Sequence, residues 1–195
     1  MLNLPPGIRS LLLINVAMFA LQYLGHGTLE AYFALWPISS GRFQIWQLVT
    51  YSFLHDTHTP FHLLFNMLAL WMFGSDVERV WGRNRFLTYY FVCVLSAGLT
   101  QILFTDLAHS TVETIGASGG VFGLLLAFGM MYPHRTILLI FPPIPMPAWL
   151  FVAVYGALEL WFGVSGIERD VAHFAHLGGM LGGYLMIRFG RSRRR

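Results

Sequence analysis

Residues 116–132 read GASGGVFGLLLAFGMMY, an apolar run that opens with four small residues around a single serine. An α-helix needs about 20 largely apolar residues to cross the hydrocarbon core of a bilayer. This stretch approaches that length and carries no charge. We therefore predict a membrane-spanning helix whose first turn presents the hydroxyl of Ser118.

The composition of the whole chain also indicates a membrane protein. Of its 195 residues, 56% are hydrophobic and 11% are charged, with a mean hydropathy of +0.60, whereas soluble domains carry roughly 25% charged residues. The pattern predicts an all-α polytopic membrane protein with one domain over residues 1–195. The six predicted spans are 9–25, 60–75, 85–105, 116–132, 147–163 and 171–188.

Two connecting segments are themselves rich in apolar residues. The first loop, residues 26–59, contains Trp36, Trp46 and Tyr51, and aromatic side chains favour the membrane interface. We expect this loop to lie partly in the membrane. Residues 135–146 contain three prolines, so we expect a connector there rather than a span.

The arginines orient the predicted bundle. All twelve basic residues are arginines, and placing both termini in the cytoplasm leaves ten inside and two, Arg42 and Arg169, outside. This is the distribution that the positive-inside rule favours. The basic tail at 188–195 is expected to fix topology or contact anionic lipid rather than bind nucleic acid.

With this orientation, the second, fourth and sixth spans enter from the outer face. Each carries a reactive side chain five or six residues after the acidic residue that precedes the span on its outer side. These side chains are His62, Ser118 and His176. At about 1.5 Å per helical residue, all three lie roughly 8–9 Å below those charges. Polar groups at that depth face the bundle or a water cavity, so they form a candidate functional cluster.

Two interpretations of the GASGG turn remain open. Ser118 lies where free helix N–H groups favour an oxyanion, and Gly116, Gly119 and Gly120 would let a substrate backbone approach. Alternatively, these residues form only a small-residue helix contact, with Ser118 capping the helix.

His176 lies in AHLGGMLGG, residues 175–183, where Gly179 and Gly183 form a GxxxG face for close helix packing. The fourth span is the expected partner, which would bring His176 beside Ser118. The imidazole could then take the serine proton as the hydroxyl attacks a carbonyl. A structural histidine, hydrogen bonded across helices, is the alternative.

His62 and Asn66 are four residues apart and therefore share one helix face. Thr59 can cap that helix, and Pro60 fits its first turn. Two side-chain donors aimed at Ser118 would suit an oxyanion that forms during acyl transfer. Interhelical hydrogen bonding is the alternative interpretation.

Together these motifs resemble the rhomboid family of intramembrane serine proteases, in its minimal six-helix bacterial form. The GASG around Ser118, the HxxxN of His62 and Asn66, and the AHxxGxxxG that begins at Ala175 match the family in order. Residues 74–85 also resemble the family's GxxxExxxGxxR turn. The likeness covers nearly the whole chain.

The resemblance implies a serine endopeptidase with Ser118 as nucleophile and His176 as general base, without a required acid. His62, Asn66 and the backbone N–H of Ser118 would form the oxyanion hole. It further implies transmembrane protein substrates cut near their extracytoplasmic end, no cofactor, and a bacterial cell membrane with the site opening outward. The rival hypothesis is a catalytically inactive relative that binds client transmembrane helices.

The chain departs from the family pattern at two positions. Gln47 follows Trp46 where several relatives have an arginine, which puts an arginine anchor for the first loop in doubt. Phe122 stands where a tyrosine often stacks on the histidine. Phenylalanine can stack in the same way but has no hydroxyl to donate.

Other polar residues leave alternatives open. Glu159, near the outer end of the fifth span, is interpreted either as a structural hydrogen-bonding group or as a contact to a gate or substrate. A metal site is suggested by the histidines His55, His58 and His62 together with His173 and His176. No HExxH motif occurs and no acidic ligand lies in the same helical turn as either pair, so we expect no metal. Asp170 is nearly two turns before His176 and is not expected to bond to it.

Overall fold

The computed structural model describes residues 4–25, 27–138, 143–166 and 172–190. These residues form a bundle of helices with one short hairpin. The helices are α1 (Pro6–Gly25), α2 (Thr28–Phe33), α3 (Gln47–Thr50), α4 (Pro60–Trp81), α5 (Arg83–Leu107), α6 (Ser118–Met131), α7 (Ala148–Ser165) and α8 (His173–Phe189). Two 3₁₀ turns, Ile38–Ser40 and Tyr51–Phe53, lie between α2 and α4.

Helix α6 lies at the centre of the bundle. Nine of its 14 residues are buried, and it packs against α4, α5, α7 and α8. A side chain on Gly179 of α8 would overlap the backbone of Gly119 in α6. The two helices therefore touch backbone to backbone, which brings the start of α8 beside the start of α6.

The GxxxG face of α8 is shared between two neighbours. Gly179 faces α6, but a side chain on Gly183 would overlap Tyr89 of α5. Helix α5 also bonds directly to α8, because the hydroxyl of Ser96 donates to the carbonyl of Gly178 at 2.8 Å. The prediction of α6 as partner is correct at Gly179, and the contact with α5 is an addition that the spacing does not indicate.

Local signals explain where the helices begin and end. Helix α4 starts at Pro60, and the hydroxyl oxygen of Thr59 accepts a hydrogen bond from the Phe61 N–H, as predicted. The helix continues beyond residue 75 to Trp81, and this last part includes the good helix formers Glu78 and Arg79. Helix α6 begins at Ser118 rather than at 116, because Gly116 has a φ of 125°, which is incompatible with a helix.

A buried carboxylate fastens α1 to α4. Glu78 is 3% exposed, and its two oxygens accept hydrogen bonds from the backbone N–H groups of Gly7 and Ile8, both at 2.7 Å. The first N–H groups of a helix have no partner within it and favour a negative charge. Glu78 therefore supplies the missing acceptors at the N-terminus of α1.

The segment between α1 and α4 packs more tightly than a loop. Leu35, Leu48, Tyr51 and Leu54 are buried in it, and the phenol of Tyr51 donates to the Val94 carbonyl of α5 at 2.8 Å. The sequence predicts its aromatic character but not its internal helices. The segment forms a support on the bundle beside the start of α6.

The described residues are mainly helical, in keeping with the all-α prediction, but the connector between α6 and α7 contains a short hairpin that the sequence does not predict. Strands β1 (Thr136–Leu138) and β2 (Pro145–Pro147) form an antiparallel hairpin there, while residues 139–142 lie outside the described residues. Proline lacks the N–H that a helix requires, so the extended backbone is preferred. The described residues of this connector contain no helix, as expected.

Three of the described helices are long and apolar enough to cross a membrane: α1, α5 and α7. Helix α6 is apolar but shorter, with 14 residues. Residue 171, the predicted start of the last span, is outside the described residues. The described part of the chain thus has the helical, apolar character of an integral membrane protein.

Candidate active site

Ser118 is the first residue of α6, and the segment before it is held against the first loop. Thr114 and Leu35 exchange two backbone hydrogen bonds of 2.9 Å, and the N–H of Gly116 donates to the Tyr51 carbonyl at 3.0 Å. The residue at the cap position of α6 is Ala117, and no side chain caps the helix. The capping interpretation of Ser118 is therefore wrong.

The hydroxyl of Ser118 instead contacts a histidine. Its Oγ lies 2.7 Å from Nε2 of His176, across 58 residues of sequence. The ring of Phe122, one helical turn after the serine, stacks on the imidazole at 4.2 Å with an interplanar angle of 7°. The stack fixes the plane of the imidazole, so Nε2 stays directed at the serine.

His62 presents its Nε2 atom to the turn that precedes Ser118. Nδ1 of His62 accepts a hydrogen bond from the Asp56 N–H at 3.2 Å, so the neutral ring carries its proton on Nε2. A Cβ on Gly116 would lie 2.9 Å from that Nε2 and 3.6 Å from Oγ of Ser118. The Nε2–H donor of His62 therefore lies beside the serine.

Asn66 lies one turn below His62 on α4 and is 7% exposed. Its Nδ2 donates to the His62 carbonyl at 2.9 Å. An amide nitrogen has two protons, and among the hydrogen bonds of the described residues only this one uses Nδ2 of Asn66. One N–H therefore remains available to a ligand in the cavity.

A second histidine packs against His62. The rings of His55 and His62 meet edge to face with 5.1 Å between centroids. Burial, with a smaller contribution from His62, lowers the pKa of His55 to about 3. His55 therefore stays neutral at physiological pH and adds no positive charge to the site.

The glycines after Ser118 serve helix packing. Gly119 and Gly120 are buried, and added side chains there would overlap Ala97 and Tyr90. They do not line the cavity that Ser118 faces. The structure thus gives them the small-residue contact, and it does not support the interpretation that a substrate backbone approaches them.

A cavity of about 1280 Å³ adjoins the cluster. Ser118, His62, Asn66 and His176 all contribute to its wall. Most of its remaining lining is apolar and comes from α4, α5, α6 and α7, including Phe65, Met72, Phe104, Val121, Leu125, Phe151 and Tyr155. Such a lining suits an apolar segment held beside a small polar centre.

Glu159 of α7 lies between two histidines of α8. Its Oε2 is 2.7 Å from Nδ1 of His173, with which it forms a hydrogen bond, and 2.8 Å from Nδ1 of His176. The second distance is a carboxylate–imidazole contact, which is an ion pair only when His176 is protonated, and Nδ1 of His176 makes no aligned hydrogen bond. No spacing signal could find this contact, because the acid and the histidines belong to different helices.

No acid lies in the same helical turn as His173 and His176, as the sequence indicates, but Glu159 joins them from another helix. Ligand atoms of Glu159, His173 and His176 lie within 4.8 Å of one another. The carboxylate belongs to α7 and the histidines belong to α8, so residue spacing within one helical turn does not indicate their contact. Direct carboxylate–imidazole contacts account for the spacing of these atoms.

The chain is similar to known proteins over most of its length. Residues 42–193 match the model of the Rhomboid domain family. Rhomboid protein 1, mitochondrial, of Saccharomyces cerevisiae is 34% identical over 134 residues, 66% of this chain. Rhomboid protease GluP of Bacillus subtilis is 34% identical over 139 residues, 71% of this chain. Rhomboid protease GlpG of Yersinia enterocolitica is 30% identical over 186 residues, 93% of this chain.

These relatives are longer than the part that matches. The match covers 38% of the yeast protein, 25% of the Bacillus protein and 61% of the Yersinia protein. The chain therefore spans less than two thirds of the length of each of them.

Proposed function

This chain belongs to the rhomboid family, and on that basis we propose that it is an intramembrane serine endopeptidase. The observation that carries the proposal is the 2.7 Å contact between Oγ of Ser118 and Nε2 of His176. The names of the relatives support peptide-bond hydrolysis, since two of them are called rhomboid proteases. The protein is an integral membrane protein, in keeping with its family and its apolar helices.

In the proposed reaction, Ser118 attacks the carbonyl carbon of the scissile bond while its proton passes to Nε2 of His176. The tetrahedral intermediate then collapses. The C–N bond breaks, and His176 returns the proton to the leaving amine, which leaves an acyl ester on Ser118. Water hydrolyses the ester by the same steps, with His176 again accepting and returning a proton.

The oxyanion of the intermediate requires donors beside Ser118. We assign this role to Nε2–H of His62, the free amide N–H of Asn66 and the backbone N–H of Ser118. The first support is that the Asp56 N–H donates to Nδ1 of His62, which leaves the ring proton on Nε2. The second is that Ser118 begins α6, where the first N–H groups have no helical partner. Preorganised donors of this kind stabilise the charge without reorganisation.

We further propose that α1, α4, α5, α6, α7 and α8 are six membrane spans, with both termini in the cytoplasm of a bacterial cell. The arginine distribution supports this orientation. The site then opens to the extracytoplasmic side, and the substrates are transmembrane segments of other proteins. The apolar cavity beside Ser118 supports a substrate of this kind. No cofactor or metal takes part in the proposed reaction.

The competing hypothesis is a catalytically inactive family member that binds client helices. Such a protein needs the cavity but not a serine and a histidine in hydrogen-bonding contact. The geometry at Ser118 therefore favours the protease.

The test is cleavage of a model single-pass substrate by purified protein, together with labelling by a fluorophosphonate probe. We expect Ser118→Ala and His176→Ala each to abolish cleavage and labelling without additive effects, because both groups act in one step. Ser10→Ala is a matched control, since that hydroxyl donates only to the Pro6 carbonyl of its own helix among the described contacts. Cleavage by the Ser118→Ala protein at the wild-type rate would contradict the proposal.

A further inference from the structure

The carboxylate of Glu159 occupies the side of His176 that faces away from Ser118. Nε2 of His176 contacts the serine, and Nδ1 lies 2.8 Å from Oε2 of Glu159. Among the described residues, both close carboxylate–histidine contacts use this one carboxylate. The resemblance to the family implies a serine–histidine pair alone, so a role for this acid goes beyond it.

The proton of the neutral imidazole has a defined place in this arrangement. Nε2 must be unprotonated to accept the serine proton, so the ring proton lies on Nδ1. That N–H is next to the carboxylate of Glu159. An anion at this distance favours the Nδ1–H tautomer and stabilises the imidazolium that forms when the serine proton arrives.

We propose that Glu159 is a positioning residue for His176, which holds its productive tautomer and stabilises its charged form. The proposal rests on the proposed function and assigns an additional residue to it. Because Oε2 approaches Nδ1 of His176 away from the line of the N–H bond, its effect is mainly that of a charge.

His173 holds this carboxylate in place. Its Nδ1 donates to Oε2 of Glu159 at 2.7 Å, and Phe162 packs against its ring at 5.6 Å between centroids. The buried residues of α7 are Ala148, Phe151 and Val152, all near the other end of the helix. Among the described residues, Glu159 thus provides the polar contacts between the outer half of α7 and α8.

The groups that face His176 are few among the described residues. Ser118 approaches from α6, Glu159 from α7, His173 from α8 itself, and His62 from α4 with Asp56 behind it. Among these groups, Glu159 is the carboxylate that contacts the ring directly. Removing its charge should therefore alter the pH dependence of the reaction.

The experiment measures kcat, KM and their pH profiles for Glu159→Gln and Glu159→Asp in the detergent-purified protein. For Glu159→Gln we expect kcat to fall about 100-fold, less than the ~10⁴ lost with an aligned triad acid, while KM changes less than about threefold. The pH profile of kcat/KM should change as well, since an adjacent anion no longer stabilises the imidazolium. Glu159→Asp should recover part of kcat and the wild-type profile.

Two matched variants remove a carboxylate elsewhere. Glu113→Gln makes the same isosteric change in the loop before Ser118, where no described histidine is in ion-pair contact. Asp170→Asn removes the acid nearest to His176 in sequence, which lies outside the described residues. Both should keep kcat within about tenfold of wild type, because neither is expected to act through His176.

Three outcomes would overturn the proposal. One is an unchanged kcat and pH profile in Glu159→Gln. Another is a lower Tm and a smaller fluorophosphonate-labelled fraction with an unchanged profile, since that pattern indicates a structural role. The third is loss of wild-type cleavage in excess EDTA, which would make Glu159 a metal ligand. Failure of the proposed function itself is distinguishable, because Ser118 would then not label in the wild-type protein.

Discussion

The imidazole of His62 lies directly against the α-carbon of Gly116, so that a Cβ on this glycine would be 2.9 Å from Nε2. Gly116 also has a φ of 125°, which L-residues with side chains rarely adopt. The GASG turn therefore requires glycine at its first position for two independent reasons. Because of this close contact, the Nε2–H donor of His62 lies at the start of α6.

Gly116→Ala should abolish most activity, because the new methyl group displaces His62 and strains the turn before Ser118. The expected loss in kcat/KM is at least about 100-fold, as for removal of an oxyanion donor. Gly41→Ala is the matched control: its φ is 70°, yet nothing lies within 4 Å of the added carbon. It shares the backbone strain without the contact and should keep kcat near wild type. Equal losses in both variants would contradict the assignment.

His62→Ala and Asn66→Ala should each lower kcat by about 10²–10³ with a smaller effect on KM, since both are proposed to act in the transition state. Fluorophosphonate labelling of Ser118 should slow in parallel, while Tm stays close to wild type. His58→Ala serves as the control for removal of a nearby histidine outside the proposed oxyanion hole. A rise in KM alone would instead assign His62 and Asn66 to substrate binding.

Glu78→Ala should lower the stability of the protein, because the N–H groups of Gly7 and Ile8 would lose buried acceptors. Hydrogen bonds to charged groups contribute about 1.5–3 kcal/mol each, so a clear decrease in Tm is expected by thermal unfolding in detergent. Asp76→Ala is the comparison, two residues away. Asp76 pairs with the exposed Arg79 and Arg135, and such pairs contribute about 0–1 kcal/mol. A smaller effect at Glu78 than at Asp76 would contradict this account of how α1 is held.

Cleavage of a model substrate should occur near the extracytoplasmic end of its transmembrane segment. The scissile carbonyl must leave its helical hydrogen bond, and unwinding within a membrane requires water or protein to satisfy the freed backbone groups. Helix-breaking residues just downstream should therefore accelerate cleavage. Mass spectrometry of the products locates the cut. Cuts near the cytoplasmic end would contradict the proposed orientation, and equal rates for a leucine-rich segment and its Gly/Pro variant would exclude a limiting unwinding step.

The expectation that a substrate backbone approaches Gly119 and Gly120 is not supported by the structure. Both glycines are buried against Ala97 and Tyr90. Their small size is explained by packing between helices, which places the serine rather than the substrate.

The sequence by itself determined the features that depend on a few consecutive residues. Apolar length predicted where the long helices lie, Thr59 and Pro60 marked the start of α4, and a spacing of four placed His62 and Asn66 on one face. These signals are local because helix caps and helix faces are set by residues within one or two turns.

Only the tertiary structure decided which side chains from different helices meet. Glu78 reaches the start of α1 across some 70 residues, and Glu159 reaches His176 from a separate helix. Contacts of this kind depend on the rotation and depth of each helix relative to its neighbours. The rotation and depth of a helix are set by packing, such as that of Gly179 on the backbone of Gly119. Residue spacing within one helix does not determine them.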